Sequence, residues 1–330
     1  MPASAVLGCG RHLPARRVTN AELARDLGTT ADALETRTGI TVRHHAELGF
    51  GPSDLAREAG LAALADAGLG PADVDLIVFA TMTPDIAFPG SGCFLQDKLG
   101  CGTVGAIDLR AQCAGFLYAL ATADRFVRAG AAERVLVATA EIHSTALDYS
   151  PRAADVTPWF GDGAAAVVVG PASAPGVLAV VLHNDPTDLE RFWCEFPASR
   201  HYPTRMNREA FDAGRHFYRF DADAVHPQAE RALADVTAEA LERADVSADR
   251  VALYLMHYVD PRVARRAAER AGLPADRVVA TAEAAAHISS AGLPIALTDA
   301  RASGRVRAGD LVCCAAFGAG MAWGAGVLRV

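Results

Sequence analysis

Apolar positions along the chain switch repeatedly between two periods. In SDLAREAGLAALADAGL (53–69) they recur at helical spacing, and in the VDLIVFATM that follows they run unbroken, which predicts an amphipathic helix feeding a buried strand. Ser53 stands where an N-cap is expected. The same shape returns half a chain later in QAERALADVTAEALERADV and RVALYLMHY, with Asp73 and Asp249 each just ahead of the strand. LQDKLGCGTVGAIDLRAQ then matches RAAERAGLPADRVVATAEAAA, VRAGAAERVLVATAE matches VRAGDLVCCAAFG, and GDGAAAVVVG matches WGAGVLRV. Matches in one order predict two copies of one α/β unit, 1–172 and 173–330, each a mostly parallel sheet covered by helices. A stretch at about 183–226, rich in aromatic, His and Arg residues, breaks the rhythm. It is expected to be an insertion that folds over a site or joins subunits, and its His201, Arg205 and His216 carry no assigned role.

About half of the 330 residues are apolar, enough for a large core. The formal charge is -8 and the 31 basic residues are scattered, which argues against a nucleic-acid partner. No apolar run reaches the roughly 20 residues of a membrane-spanning helix. Seven cysteines, an odd number without metal-ligand spacing, predict a reduced, cytoplasmic chain with no metal centre. VLGC at 6–9 is shaped like a lipoprotein cleavage box, but no basic segment or adequate apolar run precedes it, so a buried strand is expected there.

One cysteine stands apart. TVGAIDL before Cys113 has a strand pattern, and AGFLYALATADRFVRAG after it has a helical one, with Gly130 as its C-cap. Cys113 therefore sits at a strand-to-helix junction, where unpaired N–H groups and the helix dipole favour a thiolate. Small neighbours, Ala114 and Gly115, leave room for an acyl chain. Cys9, Cys313 and Cys314 lie inside apolar runs and are expected to be packing residues.

DLRAQCAGFLYAL, TRTGI (36–40), AFPG (87–90), FGDGAAA (160–166), AFGAGMAWGAG and LGCGRHLPARRVTN together resemble the ketoacyl synthase III branch of the thiolase superfamily, over essentially the whole chain. The resemblance implies a five-layered αβαβα fold from two duplicated halves. It implies that Cys113 takes an acyl group from a coenzyme A or acyl carrier protein thioester, with no permanently bound cofactor. It places the oxyanion hole at the backbone N–H groups of Cys113 and of Ala319, the latter between Gly318 and Gly320, where relatives usually carry glycine. It makes His257 the catalytic histidine, sets Phe160 at the acyl pocket and Phe88 where relatives shape that pocket in part across a dimer interface, and implies a homodimer.

The departures from that pattern bear on the reaction. His287, in AHISSAG, replaces the family's asparagine; HYVD replaces HQAN, so Asp260 is expected to orient an imidazole, to cap the helix that begins at Pro261, or to do both. Cys113 and His287 are expected at nearly equivalent places in the two halves. Ala33 stands where fatty-acid members have an adenine-stacking Trp, and Ala315 where a Glu is usual. Arg262 falls on a carrier-protein docking position of the family. These changes lean the reading towards an acyltransferase that passes the acyl group to a hydroxyl or amine acceptor in natural-product biosynthesis. Decarboxylative condensation with a malonyl thioester is the alternative, and a non-catalytic partner subunit the third.

Overall fold

The computed structural model describes residues 3–201 and 203–330; Met1, Pro2 and Tyr202 lie outside the described residues. Two five-stranded sheets form its frame. The first runs in the order Ala3–His12, Gly163–Ala172, Val135–Glu141, Leu76–Ala80, Gly105–Leu109. The second runs Val177–Asn184, Ala322–Arg329, Leu311–Gly318, Val251–His257, Val278–Ala280, the same order built from the second half of the chain. VLGC lies within the first strand.

Each sheet is mixed rather than mostly parallel. Three adjacent strands run parallel, and the other two pairings are antiparallel. In the second sheet the return from Leu311–Gly318 to Ala322–Arg329 takes only three residues and so makes an antiparallel pair, whereas a parallel partner needs a crossover. That three-residue return is the segment of Ala319 and Gly320.

Helices Gly115–Arg128 and Gly292–Ala302 lie between the sheets. Phe116, Leu117 and Leu120 from the first and Leu293 and Leu297 from the second pack with Val78, Val137, Leu255 and Val312. Each such side chain, fully removed from water, contributes roughly 1.5–3 kcal/mol before entropy is counted. Helices Pro52–Asp66 and Ser91–Leu99 cover the outer face of the first sheet, and Ala222–Ala244 and Pro261–Arg270 that of the second. The result is five layers, αβαβα. Ser53 is not the cap of its helix. Gly51 holds that place with Pro52 at the first position, Asp54 accepts the Gly51 N–H, and the Ser53 hydroxyl is turned to Asp85. Gly130, just past the Gly115–Arg128 helix, takes the left-handed conformation expected of a terminator (φ 69°).

The repeat corrects one expected equivalence. The turn Gln112–Ala114 that enters one central helix matches the turn Ser289–Ala291 that enters the other, and their first residues share a positive φ, 44° and 40°. Ser290, not His287, therefore occupies the place of Cys113. Between strand Val177–Asn184 and helix Ala222–Ala244, the predicted insertion folds into a small pair of strands, Phe192–Trp193 with Arg219–Phe220, and a short helix, Arg208–Asp212. No described helix is long and apolar enough to cross a membrane.

Candidate active site

Cys113 sits in the turn that runs directly into helix Gly115–Arg128, and only 2% of it is exposed. The chain at Gly318 passes so close that a Cβ there would lie 2.5 Å from Sγ, so only glycine fits. The backbone N–H groups of Ala319 and of Cys113 itself lie against the sulfur. Burial pushes the thiol up to about 12; the Ser289 hydroxyl, at 3.5 Å, and the two N–H groups pull the other way, and the nearby Glu141 pushes it further up. The expected thiolate is thus corrected: the resting sulfur keeps its proton, because a helix terminus offsets only part of the cost of ionising a group shut away from water.

Two histidines meet that sulfur. His287 Nε2 is 3.2 Å from Sγ, and the His257 ring stacks on His287 with centroids 4.6 Å apart and planes 11° from parallel. Both are wholly buried. Burial lowers His257 to about 3, and burial together with the neighbouring His257 and His143 lowers His287 well below its ordinary value, so both rings are neutral. His257 Nδ1 is bonded to Thr281 Oγ1, and the Ser289 carbonyl approaches the same ring outside hydrogen-bond geometry. With Nδ1 taken by Thr281, that carbonyl favours the proton on Nε2. The Tyr258 carbonyl similarly approaches His287, which favours a proton on its Nδ1 and leaves the Nε2 lone pair facing the thiol.

Glycine 292, the counterpart of Gly115 in the repeat, fixes the His257 ring. A Cβ there would fall 2.2 Å from its Cε1. Gly292→Ala is expected to leave circular dichroism unchanged yet slow turnover roughly 100-fold, the scale of loss for a reacting group displaced by about 1 Å. Turnover within a few-fold of the wild type would show that the ring position is not critical.

Three predicted site residues do not line the cavity of this chain. Asp260 is buried but turned away from His257: it caps helix Pro261–Arg270 by accepting the Arg262 N–H at 2.8 Å, receives the Arg262 guanidinium, and lies 3.8 Å from His226. Its N-cap role holds and its imidazole role does not, because the N-cap geometry points the carboxylate back along its own helix. Arg262 bonds Asp260 and the Thr36 carbonyl and lies over the face of Trp159, with its side chain 49% exposed. Phe88 is 81% exposed and does not line the cavity of its own chain. Phe160, Ala319 and Gly320 do line it, while Gly318 packs on the sulfur from behind.

The cavity above Cys113 measures about 320 Å³, and the insertion supplies much of its wall through Leu189, Phe192, Trp193 and Tyr218. Of the two expectations for that stretch, folding over the site is the one seen.

Glu141 was not anticipated. It ends the buried strand Val135–Glu141 and is wholly shielded from water; a lone acid closing the run VLVATAE was the available signal. Its carboxylate accepts from Ser290 Oγ (2.6 Å), Thr83 Oγ1 (2.9 Å), Thr81 Oγ1 (3.2 Å) and Met82 N (3.1 Å), tying a loop of the first half to the central turn of the second. Burial raises it to about 7 despite these donors. Between its ordinary 4.5 and about 7 the folded chain keeps a proton that the unfolded chain has lost, so its contribution to stability falls as pH rises through that window. Wild type should therefore exceed Glu141→Gln in melting temperature by more at about pH 5 than at about pH 8. A constant gap would show that the carboxyl does not titrate there.

A duplicated five-layered body with a buried cysteine heading a central helix is of the thiolase-like class. Two family models match the chain, 3-oxoacyl-[acyl-carrier-protein (ACP)] synthase III over residues 107–186 and its C-terminal part over 241–330. A beta-ketoacyl-[acyl-carrier-protein] synthase III from Rhodobacter capsulatus is 40% identical over 330 residues, 98% of each chain. The crystal structure of 3-oxoacyl-[acyl-carrier-protein] synthase III from Aquifex aeolicus VF5 is 32% identical and superposes with a TM-score of 0.89, covering 99% of this chain and 100% of that one. The priming beta-ketosynthase of the R1128 polyketide pathway is 30% identical with a TM-score of 0.90, covering 100% and 96%. The chain belongs to the 3-oxoacyl-[acyl-carrier-protein] synthase III family.

Proposed function

We propose that this chain is a decarboxylative condensing enzyme. Cys113 takes an acyl group from a carrier-protein or coenzyme A thioester and hands it to the carbanion released from a malonyl-type thioester. The observation that carries this reading is the pair of buried, neutral, stacked imidazoles beside Cys113, with no carboxylate bonded to either among the described residues. Transfer to a hydroxyl or amine calls for a base whose protonated form is stabilised, and Asp260, which favoured that reaction on sequence, is held by Arg262 instead. Enolate formation calls for a neutral donor, which His257 supplies through Nε2–H.

In the first half-reaction the Cys113 thiol passes its proton to His287 Nε2 as sulfur attacks the thioester carbonyl. The carbonyl oxygen turns to the N–H groups of Cys113 and Ala319. The intermediate collapses, the donor thiol leaves with the proton from His287, and the acyl group stays on sulfur. With the sulfur acylated and the Nε2 proton gone with the donor thiol, His287 keeps its proton on Nδ1. His257, with its proton on Nε2, then offers an N–H to the malonyl thioester oxygen. Loss of carbon dioxide leaves an enolate held by that N–H, its carbon attacks the acyl carbonyl, and Cys113 is expelled as a thiolate that takes a proton from solvent. A cytoplasmic homodimer is the form this reading takes: the exposed Phe88 and Ile86 (81% and 50%) are an apolar pair suited to a second copy of the chain.

The test is carbon dioxide release from malonyl carrier protein by the acylated enzyme, with the 3-oxoacyl thioester identified by mass. Acylation of Cys113 without carbon dioxide, but with ester or amide formation on an added acceptor, would replace this reading with acyl transfer. No acylation at all would leave the non-catalytic partner.

A further inference from the structure

We propose that Tyr218 is an oriented hydrogen-bond donor in the cavity, selecting an acyl group that bears a hydroxyl or keto oxygen over its plain alkyl counterpart. The inference rests on the acylation of Cys113 argued above. Tyr218 comes from the end of the insertion, just before strand Arg219–Phe220, and shares the cavity with Cys113. The wall around it is largely apolar, with Met82, Phe160, Phe192 and Trp193. Phe160 holds the tyrosine ring edge-on at 5.3 Å.

The direction of the hydroxyl proton follows from His143. That side chain is wholly buried, lying 5.0 Å from the Phe160 ring and stacked at 6.4 Å on His287. Its Nδ1 is 3.1 Å from the Tyr218 hydroxyl, and its Nε2 has no hydrogen-bond partner among the described residues. Burial keeps the ring neutral, with one proton to place. On Nε2 that proton would be an orphaned buried donor; on Nδ1 it is donated to the Tyr218 oxygen. Orphaned N–H groups are rarer than orphaned acceptors, so the proton belongs on Nδ1. The Tyr218 oxygen therefore accepts from His143, and its own O–H has no other partner among the described residues; because Tyr218 lines the cavity, that donor is left for what fills it. Burial also keeps that hydroxyl protonated. An alkyl chain laid against it would strand the donor, whereas an oxygen substituent satisfies it. This asymmetry lets a polar site reject an analogue lacking the matching atom.

The experiment follows acylation of the full chain by intact mass with matched coenzyme A thioesters: lactyl against propionyl, and 3-hydroxybutyryl and acetoacetyl against butyryl. Wild type is expected to favour at least one oxygenated member by roughly tenfold or more in second-order rate. Tyr218→Phe should erase that preference while still being acylated by the alkyl thioester, and His143→Leu, which removes the orienting donor, should weaken it. A merely structural role would slow both members of a pair alike. Equal rates for every pair in the wild type, or a preference unchanged in Tyr218→Phe, would overturn the proposal. Absence of acylation by any thioester would instead overturn the function on which it rests.

Discussion

Cys113→Ala is expected to abolish the acyl-enzyme adduct and to lower product formation by roughly 10⁴-fold or more, as loss of a covalent nucleophile does. The sharper form of the prediction sets this sulfur against the others. Cys93 and Cys194 are exposed, while burial raises the Cys113 thiol to about 12. A generic alkylating agent, which depends on thiolate already present and on access, should modify Cys93 before Cys113. An acyl thioester should do the reverse, because only at Cys113 does a ring nitrogen 3.2 Å away take the proton while two backbone N–H groups receive the developing oxyanion. Peptide mapping after each reagent reads this directly. Acylation spread over Cys93 and Cys194, or persisting in Cys113→Ala, would show that the site does not direct the chemistry.

The second large effect separates the two imidazoles. His257→Ala should slow condensation by roughly 10²–10⁴-fold, the range for a positioned proton donor or acceptor, yet leave acylation of Cys113 within about tenfold of the wild type. The reason is geometric: His287, not His257, is bonded to the thiol, and His257 acts only once the malonyl thioester oxygen is in place. His287→Ala should impair both steps. Single-turnover mass spectrometry measures loading, and product formation measures the sum. Equal losses in both steps for His257→Ala would make it the group that activates the sulfur. A melting temperature close to that of the wild type guards against a collapsed site.

Much of this arrangement is visible in the chain before it folds, because it depends on period. The apolar runs around Leu76–Ala80 and Val251–His257, and the order in which they recur, already describe two matched sheets, and the helical stripe after Cys113 marks its central helix. What period cannot carry is direction. HYVD brings an acid within three residues of His257, but the helix starting at Pro261 turns that carboxylate to Arg262. Depth is equally silent: the junction at Cys113 is right, yet its 2% exposure decides the protonation of the sulfur, and nothing in DLRAQC states it. Contacts between distant residues are the third gap. His143 and Tyr218 lie in unrelated stretches, and only the folded insertion brings them to 3.1 Å.

The link from Glu141 to Ser290 carries a consequence for how such a molecule can be divided. Each half repeats the other's topology, yet the carboxylate of one is satisfied by the hydroxyl of its sibling, and the nucleophile of one is served by the imidazoles of its sibling. Expressed alone, either piece would lose these bonds and bare to water the central helix and sheet face that now pack against the other. Two matched halves thus share one reaction centre, and cutting the chain between them would divide the nucleophile from the imidazoles that serve it.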